Sequence, residues 1–236
     1  MKLRTLVGGI LAFGFSFHAL AHGGVADVSV YDRTEARRLP VHWHQGRAHV
    51  VGKPGNEYRV VVRNKTGEEV LAVVSVDGVN VITGETADPL QSGYVLAPHG
   101  SVAIQGWRKD LSRTAAFYFT SLPDSYAART GRPQDVGVIG VAVFRKRVAE
   151  APMARSDARA AEHASAEPKL GTGHGRQEHA PARFVRFERA SHVPARVLSL
   201  YYDSRANLVA RGILRESVPV APLPRPFPGF VPDPRG

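Results

Sequence analysis

From Val25 to Arg147 the chain alternates short apolar runs with turn residues. The runs "VADVSVYD", "YRVVVRN", "EEVLAVVSV", "GYVLAP", "SVAIQGW", "AAFYFTS" and "VGVIGVAVF" are rich in Val, Ile, Tyr and Phe. Between them stand "KPGN", "NKTG", "DG", "TGETADP" and "PHG". β-Branched and aromatic side chains suit a pleated, half-buried surface, and Gly, Pro, Asn and Asp suit the reversals. Strand-length runs at this spacing, with no helical period between them, predict an all-β chain: a β-sandwich, immunoglobulin-like in general architecture. "VLAVV" and "VGVIGVAVF" are apolar nearly throughout, as expected of strands covered on both faces. "RVVVRNKTGEEVLAVV" reads as a hairpin across Asn64–Gly67. Asp77-Gly78 reads as a second tight turn, with Asp77 a turn former and not a base.

The pattern changes at Val148. Residues 148–168 are rich in Ala and charge and lack the large apolar residues of a core face, so they read as a linker. "PARFVRFERA" and "ARVLSLYYD" then read as strands, and "SRANLVARGIL" as a short helix with Ser204 as its N-cap and Gly212 near its end. This block is too small to fold alone. The division expected is a sandwich domain over 22–147, a linker over 148–168, a strand/helix segment over 169–214 that docks on the sandwich, and a Pro-rich extended tail over 215–236.

The N-terminus adds a compartment. Lys2 and Arg4 precede the apolar run "TLVGGILAFGFSF", and Ala19-Leu20-Ala21 forms a small-x-small site. Together these predict a signal peptide over 1–21, cleaved after Ala21, and a periplasmic or secreted protein. No other run approaches membrane-spanning length, so an integral membrane protein is not expected. The chain has no cysteine, so an oxidising compartment contributes no disulfide. Lys and Arg number 31 against 21 Asp and Glu, a net charge of +10 with His neutral, and loss of Lys2 and Arg4 leaves +8. Such a balance favours anionic partners. An anionic cell-envelope polymer or a protein is the partner expected, and not nucleic acid.

"VLAVVSVDGVNVITGETA", "SGYVLAP", "GWRK", "DSYAARTGRP", "VGVIGVAVFR", "GTGHG" and "YYDSRANLVARGI" resemble a family of uncharacterised exported bacterial proteins. The resemblance covers most of Val50–Leu214. It implies an exported mature domain and brings no catalytic residues with it.

Three chemistries remain to be placed. The first lies in "DSYAARTGRP", where Asp124 and Ser125 can cap a helical turn that Gly131 and Pro133 end. Arg129 and Arg132 are not needed for that turn. A guanidinium offers a planar pair of donors to a carboxylate or phosphate, and an internal Asp124 or Asp135 would serve equally. Arg108, Lys109, Arg129 and Arg132 are therefore the candidate anion pocket of a non-enzymatic binding module, with no cofactor. The second is metal binding. His42 and His44 share a strand face, His49 can join them across Gln45-Gly46, and His22 would be the first residue of the cleaved chain; such a set would take Zn or Cu. The third is a hydrolase with a dispersed site around His174, Asp124 and Ser125. Local signatures for it, such as GxSxG or HExxH, are absent. "GTGHG" reads as a Gly-rich turn entering a strand, and Trp107 and Tyr94 as strand-end aromatics that a carbohydrate could stack on.

Overall fold

The computed structural model describes residues 24–147 and 169–215. The expected signal peptide over 1–21, His22, the expected linker over 148–168 and all but the first residue of the tail expected over 215–236 lie outside the described residues. In chain order the strands are β1 (Ala26–Asp32), β2 (Arg37–Arg38), β3 (His42–His44), β4 (Arg47–Val51), β5 (Glu57–Asn64), β6 (Val70–Val76) and β7 (Val79–Asn80). There follow β8 (Tyr94–Leu96), β9 (Ser101–Ile104), β10 (Gly106–Arg108), β11 (Arg113–Ser121), helix α1 (Tyr126–Arg129), β12 (Val138–Arg145), β13 (Leu170–His179), β14 (Arg196–Asp203) and helix α2 (Arg205–Ala210).

Among the described residues these strands form two seven-stranded sheets. One runs β10-β11-β5-β1-β2, with β13 added on β11 and β9 on β5; the other runs β3-β4-β14-β12-β6-β7, with β8 added on β6. Val30, Tyr58, Val60, Val62, Phe117 and Phe119 of the first sheet meet Val50, Val74, Val76, Ile139, Val141 and Leu200 of the second in one core. The fold is the all-β sandwich expected. Each such Val, Leu or Phe taken out of water contributes about 1.5–3 kcal/mol, so the facing stripes hold the sheets together. Among the described residues no helix is long and apolar enough to cross a membrane.

The strands with unbroken apolar runs are indeed covered twice. On the outer face of β6 and β12, Leu71, Val73, Ala142 and Phe144 form a second cluster under Val95 and Phe187. The Arg189 guanidinium lies 4.9 Å from the centre of the Phe144 ring. Residues 181–190, read as a strand, form no ladder beyond one bridge between Arg189 and Lys146; they lead from Leu111, whose carbonyl accepts from the Ala182 N–H, to Arg147, whose N–H donates to the Glu188 carbonyl. Phe184 is left 89% exposed. The aromatic and β-branched composition of the segment mimics a strand, but of these side chains Phe187 covers the outer cluster while Phe184 and Val185 face solvent.

The hairpin expected across Asn64–Gly67 is an arch. β5 lies in the first sheet and β6 in the second, so the chain crosses between layers there. Asn64 is fully buried and pins the crossing: its Nδ2 donates to the carbonyls of Glu68 (2.7 Å) and Ala97 (2.9 Å), and its Oδ1 accepts from Thr66 N–H at 2.8 Å. Turn residues report a reversal and not whether the next strand stays in the same sheet. Asp77-Gly78 is a tight hairpin as read, Val76 pairing with Val79 and both turn residues at positive φ (52° and 70°).

"GTGHG" is not a turn. It is the first half of β13, which pairs with β11 from Leu170–Ser121 to His179–Arg113. Its glycines answer to sterics: a Cβ on Gly173 would collide with Cζ of Tyr118, and one on Gly171 would meet the Ser125 side chain at 2.5 Å. The segment after residue 168 thus supplies β13 to one sheet and β14 to the interior of the other, where β14 runs antiparallel to β12 and parallel to β4.

Candidate functional site

The helical turn in "DSYAARTGRP" forms as its capping residues dictate. Ser125 Oγ accepts from Ala128 N–H at 3.1 Å and donates to the Leu122 carbonyl at 2.7 Å, and Gly131 leaves the turn at φ +80°. Ser125 is fully buried, so its hydroxyl is committed to the cap. Asp124 accepts from Ser121 Oγ at 2.7 Å. Neither residue is joined to His174 in a hydrolase-like relay.

The four candidate cations divide into two pairs. Arg132 spreads its fork over the Gly84 carbonyl (3.3 Å from each Nη) and Thr130 Oγ1 (2.9 Å), tying α1 to the loop after β7. Arg108 donates from Nη1 to the Ala180 carbonyl at 2.5 Å and to the Asp110 carbonyl at 3.3 Å. These two side chains hold loops. Lys109 and Arg129 are exposed, and among the described residues neither forms a salt bridge. The carboxylate beside Lys109 is occupied: Asp110 accepts from Ser112 and from the Arg113 guanidinium, which hold its carboxyl well below the usual range.

Both free cations approach His174. Its ring lies 5.6 Å from the Tyr126 ring, which in turn lies 4.9 Å from Trp107. Partial desolvation and the charges of Lys109 and Arg129 hold the His174 imidazole below its ordinary pKa, against its own backbone. Three stretches distant in sequence, "GWRK", "SYAAR" and "GTGHG", therefore meet at one end of the sandwich. Trp107 is not a surface platform: it is 3% exposed, donates from Nε1 to the Gly173 carbonyl at 3.3 Å and packs edge-on to Phe117. Tyr126, half-buried, is the aromatic that reaches the surface, and only the tertiary contact with β13 reveals it.

The histidines of the hairpin lie elsewhere. His42 pairs with His49 and His44 with Arg47 across β3 and β4. His49 is buried, stacks on Tyr201 at 5.5 Å and is held below its ordinary pKa by burial and by Arg211, His44 and Arg47. Among the described residues no group of three or more His, Asp or Glu is arranged to hold a metal. The groups beside His44 and His49 are guanidiniums, which are not ligands.

A feature invisible in the sequence lies between the sheets. Asp77 accepts at Oδ1 from Tyr202 Oη (2.5 Å) and Gly137 N–H (2.9 Å), and at Oδ2 from Thr172 N–H (2.8 Å). Thr172 Oγ1 lies 2.6 Å from Tyr202 Oη and 2.5 Å from Tyr58 Oη. Burial raises the Asp77 carboxyl to about 6 despite those donors. With Asp77 ionised, Tyr202 must donate to it, which orients Thr172 toward Tyr202 and Tyr58 toward Thr172. The chain is sealed in the core and joins the two sheets.

Comparison with protein-family models, curated proteins and solved structures returns no match for this chain.

Proposed function

We propose that the protein is an exported binding module that takes an anionic polymer of the cell envelope at the end of the sandwich where Lys109, Arg129 and His174 meet. The observation that carries this reading is the convergence itself: two exposed cations, without carboxylate partners among the described residues, flank an exposed imidazole whose ring lies 5.6 Å from Tyr126. Cations that neutralise nothing within the fold raise the local potential and attract opposite charge. The signal-peptide pattern at residues 1–21 and the resemblance to exported proteins support the compartment. Arg108 and Arg132, bonded to carbonyls, shape this surface by fixing its loops.

The test is binding of the purified mature chain to polyphosphate across a salt series. Affinity is expected to fall as salt rises. Lys109→Ala combined with Arg129→Ala should weaken binding by about 10–30-fold, each exposed cation near a dense anionic surface being worth about 1 kcal/mol. The urea midpoint should not move. The bound polymer should also raise the His174 pKa, followed by its ring proton resonances, because it neutralises the charges that depress it. A double variant that binds like the parent would sink the reading.

A further inference from the structure

A second cationic feature lies between the β3–β4 hairpin and the turn after α2. There a hollow of about 170 Å³ is lined by His44, Gln45, Arg47, His49, Arg211 and Ile213. A hollow of about 390 Å³ near Glu69 and Lys146 has a carboxylate that meets its cation, Lys146 Nζ lying 2.5 Å from Glu69. The smaller one is different. It carries two guanidiniums and two imidazoles against one carboxylate, Asp203, so positive charge is in excess there. Asp203 accepts at Oδ1 from Ser204 N–H (2.8 Å), Asn207 Nδ2 (2.7 Å) and Leu170 N–H (3.2 Å), and its Oδ2 meets Arg211 Nη1 at 3.5 Å. Among the described residues Arg47 forms no salt bridge, and its guanidinium lies 5.8 Å from the Tyr201 ring.

His49 supplies an independent observation. It is 2% exposed, and its Nδ1 has no hydrogen-bond partner. A buried ring nitrogen left unpaired beside a hollow of excess positive charge lacks a partner, and with Nδ1 protonated that partner is an acceptor. A metal ion does not supply it, because Arg47 and Arg211 would repel the ion and offer no lone pair. The hollow is also smaller than the 300–1,000 Å³ or so that drug-sized ligands occupy.

We infer that this pocket binds a small tetrahedral oxyanion of the phosphate class, held by the forked donors of Arg47 and Arg211 with His44, His49 and Gln45 completing the set. Planar guanidiniums match such an anion with paired hydrogen bonds, and a lysine cannot reproduce the geometry. The site is separate from the Lys109–Arg129 surface and does not depend on it.

The experiment is calorimetric titration of the full mature chain with inorganic phosphate and, in parallel, with glycerol 3-phosphate, at ionic strength held constant with sodium chloride. Saturable binding of phosphate alone identifies a site for the free ion. Equal binding of the ester identifies one for a phosphate group borne on a larger molecule; either supports the inference. Arg47→Ala with Arg211→Ala should weaken binding at least tenfold, and Arg47→Lys should fall between. Arg47 is exposed and forms no salt bridge among the described residues, so Arg47→Ala should keep the parent's urea midpoint and by itself weaken phosphate binding, whatever loss of the Arg211–Asp203 contact does to the double variant. Lys109→Ala with Arg129→Ala should bind phosphate as the parent does, which separates this site from the polymer surface. Heats no greater than those of chloride would overturn the inference. So would an arginine double variant that binds normally, or saturable Zn²⁺ binding that His49→Gln abolishes.

Discussion

Asp77 shows how much one side chain can do beyond its local conformation. As the first residue of a tight turn it needs only to tolerate positive φ, which Asp does. Its carboxylate, however, gathers donors from β13, β14 and the residue before β12, so the same residue stitches the two sheets together. Because folding raises its pKa from 3.8 to about 6, the folded protein binds the proton more tightly than the unfolded chain. The stability contributed is full below the unfolded value and is lost as pH rises through about 6, by about 3 kcal/mol. Tyr202→Phe removes a donor to the ionised form. It should cost about 1.5–3 kcal/mol at pH 8 and distinctly less at pH 5, read from urea unfolding at both. Equal losses at the two pH values would mean that Tyr202 does not serve the carboxylate.

Among the elements, β13 depends most on exclusion of atoms. A ten-residue strand with glycines at 171, 173 and 175 has poor intrinsic propensity, yet it pairs along the whole of β11. The explanation is the Tyr118 ring, which lies over Gly173, where any side chain would collide. Gly173→Ala is expected to destabilise by about 1–3 kcal/mol. Gly67→Ala, in open space on the arch, should stay within about 0.5 kcal/mol. If the two variants shared one urea midpoint, close packing would not be the reason for the glycine. The arch between β5 and β6 makes a related point: "NKTG" announces a reversal, and the buried Asn64 amide, bonded to residues more than thirty positions away, decides that the chain changes sheet.

At the scale of the whole molecule, the segment after residue 168 is part of the sandwich. β14 stands between β4 and β12, and β13 flanks β11. Without β14, the β3–β4 hairpin loses the strand through which it joins the second sheet. Without Thr172 and Tyr202, the polar chain through Asp77 is broken. A chain ending at Arg147 is therefore expected to lack a cooperative transition in circular dichroism and a dispersed NMR spectrum. A sharp two-state unfolding of residues 22–147 would show that the first twelve strands suffice. The same architecture separates the two cationic features: one is built from β10, α1 and β13, the other from the β3–β4 hairpin and the turn after α2.

The amino-acid pattern by itself determined the strand composition, the doubly covered character of β6 and β12, the tight turn at Asp77-Gly78, and the capped turns at Ser125 and Ser204. Each of these depends on neighbours within a few residues or on the average burial of a run, and both are written locally. It also singled out "GWRK", "DSYAARTGRP" and "GTGHG". What it could not carry was their meeting, or the division of Arg108, Lys109, Arg129 and Arg132 into loop ties and free charges. That division rests on carbonyls of Gly84 and Ala180, which have no sequence signature. Pairing partners, the arch, the Asp77 chain and the His49 pocket came only with the tertiary structure, because hydrogen bonds and charges act across space and chain separation does not predict distance.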